Sequence, residues 1–241
     1  MIAKTVIIIP AKGQSKRLPE KNKKLLDGFT LVEYAIKRAV ESGLGDVIIS
    51  SDDDEVLALA LKSVPNRVFP FKRNKEMSNP DLRLPEVLLD LFERIPQGKY
   101  DDFILTLPTS PLASYKDLQA AYSMFKMNGN RPVMSVINAR VNPNALGFKD
   151  YDNNFYPFCI DYDNDVDRPK WKPDFVIKGT NKIDLYKSNG AVFVCGIERF
   201  KEERDFYING MLAYEMPSER GIDIDTELDF LLAETLMRKI N

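Results

Sequence analysis

Short, wholly apolar runs alternate with amphipathic helical stretches over the first 136 residues, and this alternation limits the chain to a sheet covered by helices. Val6–Pro10 is too brief for a helix and apolar throughout, as a strand buried on both faces is. Thr30 stands where it can cap a helix with apolar positions at Leu31, Val32, Ala35, Ile36, Ala39 and Val40, closed by Gly43 and Gly45. Asp46–Ser51 reads as a second buried strand, Asp53–Ser63 as a helix, Val68–Phe71 as a short strand and Pro85–Arg94 as a helix. Phe103–Leu107 is a strand stopped by Pro108 and Pro111; Tyr115–Met127 resumes a helical period, and Val133–Val136 is a strand. Strand–helix–strand order with right-handed crossovers predicts an α/β fold with a mostly parallel sheet.

The alternation then breaks. Asn138–Ser188 is rich in Asn, Asp, Pro, Lys and aromatics, has weak periodicity and is too long for an ordinary loop. It predicts an excursion of irregular or β structure, dividing the chain into a main domain of residues 1–137 and 189–241 and an inserted segment of 138–188. Asn189–Val194 returns as a strand, and Gly221–Asp225 leads into a last helix, Glu227–Lys239.

Composition removes whole classes of chemistry. The chain has no histidine, which excludes Ser-His-Asp and Cys-His nucleophile systems and His-ligated zinc. Its two cysteines, Cys159 and Cys195, are too few for a thiolate zinc site and lack redox spacing. A net charge of −2 gives no global field toward nucleic acid or anionic lipid, so neither nucleic acid nor membrane is an expected partner. With no charged-then-apolar leader and no apolar run near 20 residues, the expectation is a soluble, reduced, cytoplasmic protein.

Against that neutral background the loop after the first strand stands out. Lys12, Lys16, Arg17 and Lys21 place four cations within ten positions, and Gly13 allows a close backbone turn around an anion. The loop leaves the carboxyl end of a strand, where open α/β sheets bind ligands. It has neither Walker A spacing nor a dinucleotide fingerprint. A generic cationic stretch is a solvated loop; this position favours a polyphosphate site.

A second cluster lies near the end of the chain. In Ile222-Asp223-Ile224-Asp225-Thr226, alternate residues of an extended segment face one way, so both carboxylates point together with the isoleucines opposite. Two hard oxygen donors plus nucleotide phosphates suit Mg²⁺. The competing reading is a capping role for Asp225 or Thr226 at the start of the last helix.

Five blocks, in order, resemble the acylneuraminate cytidylyltransferase (CMP-sugar synthetase) family: Ile7–Asn22 (IIIPAKGQSKRLPEKN), Asp46–Asp53, Pro108–Leu112, Asn189–Ala191 and Ile222–Phe230. The resemblance implies a Rossmann-like fold of nucleotidyltransferase type with a small protruding dimerisation segment. It further implies a Mg²⁺-dependent enzyme that joins CMP from CTP to a sialic-acid-like nonulosonate and releases pyrophosphate. Carried over residue by residue, Ala11, Lys12, Gly13, Ser15, Arg17, Lys21, Asn22 and Arg73 correspond to nucleotide-binding positions. Asp223 and Asp225 correspond to the metal ligands, and with Lys12 and Lys21 they make the expected catalytic set. Leu107, Asn189, Phe193, Phe206 and Tyr207 fall at positions near the sugar, and a homodimer is implied through 138–188.

The departures concentrate on the acceptor side. Lys12 replaces the family's arginine, losing a bidentate fork. Leu107 stands where a glutamine is usual, Ala113 where an arginine is common, Lys187-Ser188 where Arg-Pro is found, and Asn144-Ala145 near an expected lysine. Two alternatives therefore accompany the main reading: a nucleotidyltransferase with another acceptor, such as a sugar phosphate, or a non-catalytic nucleotide-binding relative.

Overall fold

The computed structural model describes residues 4–15, 17–62, 66–79, 81–141, 146–149, 151–157, 160–161, 170–171 and 185–240. Cys159 and Asn144-Ala145 fall outside them. The chain divides into two compact units, residues 1–136 with 188–241, and residues 137–187.

In the larger unit β1 (Thr5–Pro10) is buried at all six positions, which explains its unbroken apolar run. A small hairpin of β2 (Leu25–Leu26) and β3 (Phe29–Thr30) leads into helix α1 (Leu31–Ser42). Thr30 caps α1 through a reciprocal box: its hydroxyl accepts the Glu33 N–H at 3.2 Å, and Glu33 accepts the Thr30 N–H at 2.7 Å. Gly43, at φ +70°, closes the helix in the left-handed region. Then follow β4 (Asp46–Ser51), α2 (Asp54–Lys62), β5 (Val68–Lys72), α3 (Leu84–Arg94), β6 (Asp102–Leu105), α4 (Tyr115–Met127) and β7 (Val133–Asn138).

The smaller unit contains antiparallel pairs, β8 (Gly147–Lys149) with β9 (Phe155–Pro157) and β10 (Ile160–Asp161) with β11 (Lys170–Trp171). Strand β12 (Tyr186–Gly196), helix α5 (Ile197–Glu203), strand β13 (Leu212–Glu215) and helix α6 (Glu227–Ile240) complete the chain. The hairpin, α5 and β13 were not anticipated from sequence. Each is short, and β13 alternates half-buried and exposed residues without an apolar run.

The main sheet has the order β13-β7-β12-β6-β1-β4-β5. Strands β6, β1, β4 and β5 are parallel neighbours, whereas β12 runs antiparallel to β6. The fold is therefore a mostly parallel sheet flanked by helices, as the alternation predicted. Among the described residues, no helix is long and apolar enough to cross a membrane.

Two apolar clusters organise the larger unit. Phe92, Phe103, Phe193 and Phe200 pack with ring centroids 5.0–6.2 Å apart, in tilted and edge-on geometries that favour the ring quadrupoles. A separate cluster gathers Leu18, Leu26, Leu31, Leu112, Ile224, Phe230, Ala233 and Met237, joining the cationic loop, the Pro108–Leu112 turn and the aspartate segment to α1 and α6. Phe200 is fully buried among rings. Phe200→Ala is expected to destabilise the protein by about 3–5 kcal/mol, measured by chemical denaturation.

Candidate active site

The cationic loop begins where β1 leaves the sheet. Ala11, fully buried, donates its N–H to the Ser50 carbonyl at 2.9 Å, so the loop starts in register with β4. Gly13 donates its N–H to Asp52 at 2.8 Å, and a Cβ added to it would meet Asp53 Cβ at 2.9 Å. Glycine is required by this close approach. Leu18 anchors the loop's far half in the core, and the Asn22 amide donates to the Lys12 carbonyl at 2.7 Å, pinning the loop across its mouth.

A cleft of about 320 Å³ opens beside this loop, lined by Pro10, Lys12, Arg17, Lys21, Asn22 and Arg73 and, on the other wall, by Leu107, Pro108 and Thr109. Met77, Ser78, Asn79 and Leu82, from the segment before α3, line it as well. Arg73 is 8% exposed and fixed by Nε to Ser50 Oγ at 3.0 Å and Nη2 to the Ser50 carbonyl at 2.9 Å. Burial lowers its pKa and the charge of Asp52 acts against this.

The cleft gathers Lys12, Arg17, Lys21, Asn22 and Arg73. Gly13 and Ser15 instead border a neighbouring concavity with Asp52, Asp53, Glu20 and Lys23. Lys23 is held there by Glu55 at 2.7 Å, Glu20 at 3.0 Å and Asp53 at 3.2 Å, and these partners, Glu55 foremost, raise its pKa.

The aspartates meet the cationic loop directly. Asp225 Oδ1 accepts both Lys21 Nζ and Arg17 Nη2 at 2.9 Å. Between the aspartates, Ile224 is fully buried and donates its N–H to the Thr109 carbonyl at 2.8 Å. Part of Asp223 reaches solvent, yet the protein crowding it desolvates the carboxyl and raises its pKa. A hydrogen bond from Thr109 and the charge of Lys21 oppose that rise; Asp225 and Asp229 reinforce it. Helix capping falls to Thr226 with Asp229, as one of the two sequence readings had it: the Thr226 hydroxyl accepts the Asp229 N–H at 3.3 Å, and Asp229 accepts the N–H of Thr226 at 2.8 Å and of Asp225 at 3.1 Å. The Asp225 carboxylate is engaged by cations instead.

The expected sugar-side residues separate into two groups. Leu107 is at the cleft wall, against Gly190: a Cβ on Gly190, whose φ is +68°, would lie 2.8 Å from Leu107 Cδ1 and 3.9 Å from Asp223 Oδ2. Tyr207 is 73% exposed and its hydroxyl pairs with Ser188 Oγ at 3.1 Å. Asn189 and Phe193 are turned inward. The Asn189 amide oxygen accepts Ser135 Oγ at 2.6 Å and its amide nitrogen faces Met216 Sδ at 3.3 Å, so its side chain braces β12. Phe193 is 4% exposed and Phe206 packs on it at 5.1 Å, which makes Phe193 a core residue and Phe206 its half-buried cover.

Sequence reasoning missed Thr109, Asp52 and Arg38. Arg38 is 3% exposed and donates to the turn that carries Thr109. Its signal was available: position 38 lies three residues after Ala35 and seven after Leu31, a cation on the apolar stripe of α1.

With this geometry established, a sequence model of the family described as Cytidylyltransferase matches residues 6–145. The chain belongs to the cytidylyltransferase family. It is 27% identical over 236 residues to the CMP-N,N'-diacetyllegionaminic acid synthase of Legionella pneumophila, covering 95% of this chain and 94% of that protein. It is also 27% identical over 240 residues to the pseudaminic acid cytidylyltransferase of Campylobacter jejuni, covering 98% of this chain and 97% of that one. The solved structure of a CMP:2-keto-3-deoxy-manno-octonic acid synthetase complexed with CTP shares the fold, with a TM-score of 0.70 at 13% identity over 99% of this chain and 100% of that one.

Gly190→Ala tests how tightly the Leu107 wall of the cleft is built. The left-handed backbone alone predicts a loss of about 1–2 kcal/mol in this cytidylyltransferase, and the contact with Leu107 adds to it. Thermal unfolding measures the loss, and a crystal structure would show Leu107 displaced toward the cleft.

Proposed function

We propose that the protein transfers CMP from CTP to a hydroxyl of an acidic nonulosonate sugar and releases pyrophosphate. The observation that carries this is the joining of two groups in one place: the cationic loop lining the cleft, and Asp225 bonded to two of its cations. The near full-length likeness to CMP-legionaminic and pseudaminic acid enzymes supports the acceptor class.

In this reading Lys12, Arg17 and Lys21 hold the triphosphate, where charge-assisted hydrogen bonds to phosphate oxygens are strong. Arg73, rigidly held on Ser50, lines the part of the cleft assigned to the nucleoside. The acceptor oxygen attacks the α-phosphorus in line, the bond to the bridging oxygen of pyrophosphate breaks, pyrophosphate leaves, and the hydroxyl proton passes to water. Positioning and charge stabilisation suffice for such a step, which suits a chain without histidine.

Asp223 and Asp225 are the donors assigned to Mg²⁺. Their fit rests on this chain's own chemistry: hard carboxylate oxygens, with Asp223 held above its ordinary pKa partly by Asp225, a repulsion that a dication relieves. A bound Mg²⁺ supplies Lewis-acid neutralisation of phosphate charge there. A cytoplasmic homodimer contacting through residues 138–188 completes the reading carried by the family resemblance.

Pyrophosphate release with each of the four nucleoside triphosphates, Mg²⁺ and a panel of nonulosonates and sugar phosphates is the direct test. Turnover is expected with CTP and a nonulosonate, falling by about 100-fold or more in Asp225→Ala. Undiminished turnover in that variant, or preference for a sugar phosphate, overturns the assignment.

The resting ion pairs predict a second, less obvious result. Asp225 competes with phosphate for Lys21 and Arg17, so Asp225→Asn is expected to bind metal-free CTP about fivefold more tightly than the wild type while losing turnover. Calorimetry in the presence of a chelator measures this directly.

A further inference from the structure

Arg38 occupies a place where a cation is costly. It lies on the buried stripe of α1 at 3% exposure. Its Nε donates to Thr106 Oγ1 at 2.9 Å, its Nη1 to the Ser110 carbonyl at 3.0 Å, and its Nη2 to the Leu107 carbonyl. None of these three acceptors is a carboxylate. Burial pushes the guanidinium pKa down to about 9, with the charge of Asp117 acting against the fall, so the group stays charged at neutral pH.

An apolar side chain on that stripe would avoid the desolvation of a guanidinium. What only a planar fork of donors provides is simultaneous hold on several acceptors of one turn. Thr106 Oγ1 also donates to the Ala191 carbonyl at 2.7 Å, and the Leu107 N–H donates to the Gly190 carbonyl at 3.3 Å. The turn is thus gripped from the α1 side by Arg38 and from the β12 side by backbone. With the carbonyls of Leu107 and Ser110 drawn inward, Leu107, Pro108 and Thr109 are presented to the cleft. Thr109 passes the constraint on: its carbonyl takes the Ile224 N–H at 2.8 Å, next to Asp223, whose pKa its hydroxyl acts to lower.

We propose that Arg38 is a positioning residue for nucleotidyl transfer, setting Asp223 and the Leu107 wall through the 106–110 turn. The proposal rests on the CMP-transfer reading for its kinetic consequence, and on geometry alone for its structural one.

Arg38→Lys keeps the charge and removes the fork; Thr109→Val removes the hydroxyl that meets Asp223. In Arg38→Lys, kcat is expected to fall about tenfold or more and the acceptor KM to rise, with CTP affinity within about twofold of wild type, measured below both melting temperatures. Thr109→Val should act in the same direction, and the double variant should be no worse than the poorer single one. Hydrogen exchange should quicken at the Ile224 amide and across 106–110 in Arg38→Lys, with the 11–22 loop unchanged. If Arg38→Lys does not fold, Thr106→Val, which keeps Arg38 but unpairs its Nε together with the Ala191 carbonyl, carries the same expectations.

A lowered melting temperature with kcat within about twofold and unchanged exchange at Ile224 overturns the proposal, as do losses that multiply in the double variant. A wild type that transfers CMP to no nonulosonate overturns the functional reading instead, while the exchange comparison still decides the role of Arg38.

Discussion

Ile224 is the residue on which the site's geometry turns. Its full burial among Leu18, Leu112 and Phe230 fixes the face of the segment between Gly221 and Thr226. Burying such a side chain is worth about 1.5–3 kcal/mol, more than the gain from one surface ion pair. The same cluster holds Leu18 from the cationic loop and Leu112 from the Pro108–Leu112 turn, so one apolar contact zone places three distant stretches of chain. Polar function sits above, and apolar packing decides where it sits.

Electrostatics then tunes what packing has placed. The chain carries almost no net charge, so its affinity for a polyanion depends on local concentration of cations. Lys21 and Arg17 share a single oxygen of Asp225, and Lys23 is taken up by Glu20, Asp53 and Glu55. These pairings divide the cations by place: Lys23 holds the loop against α2, while Arg17 and Lys21 line the cleft and share Asp225.

The cationic-loop side of the site was more legible in the sequence than the wall that carries Leu107, for a physical reason. Lys12, Arg17, Lys21 and Asn22 lie in one local stretch after a buried strand, so spacing alone brings them together. The closeness of Asp223 and Asp225 is legible for the same reason, because a single residue separates them. The Leu107 wall has no such rule. Leu107 and Asp223 both approach Gly190 from distant parts of the chain, and Asn189 and Phe193, read as sugar contacts, point into the protein. Which way those side chains face depends on the pairing of β12 with β6, where Phe193 lies opposite Leu105. No motif states that register.

The sequence by itself determined the strand–helix alternation, the buried first strand and the cationic loop at its carboxyl end, because each follows from a pattern within a few residues. Tertiary structure decided the rest. It selected Arg17 and Lys21 as the partners of Asp225, turned Asn189 inward, and set Arg38 beneath the turn that carries Thr109. These are contacts between residues far apart in the chain, and their geometry is fixed only when the apolar clusters close and every buried polar group finds its partner.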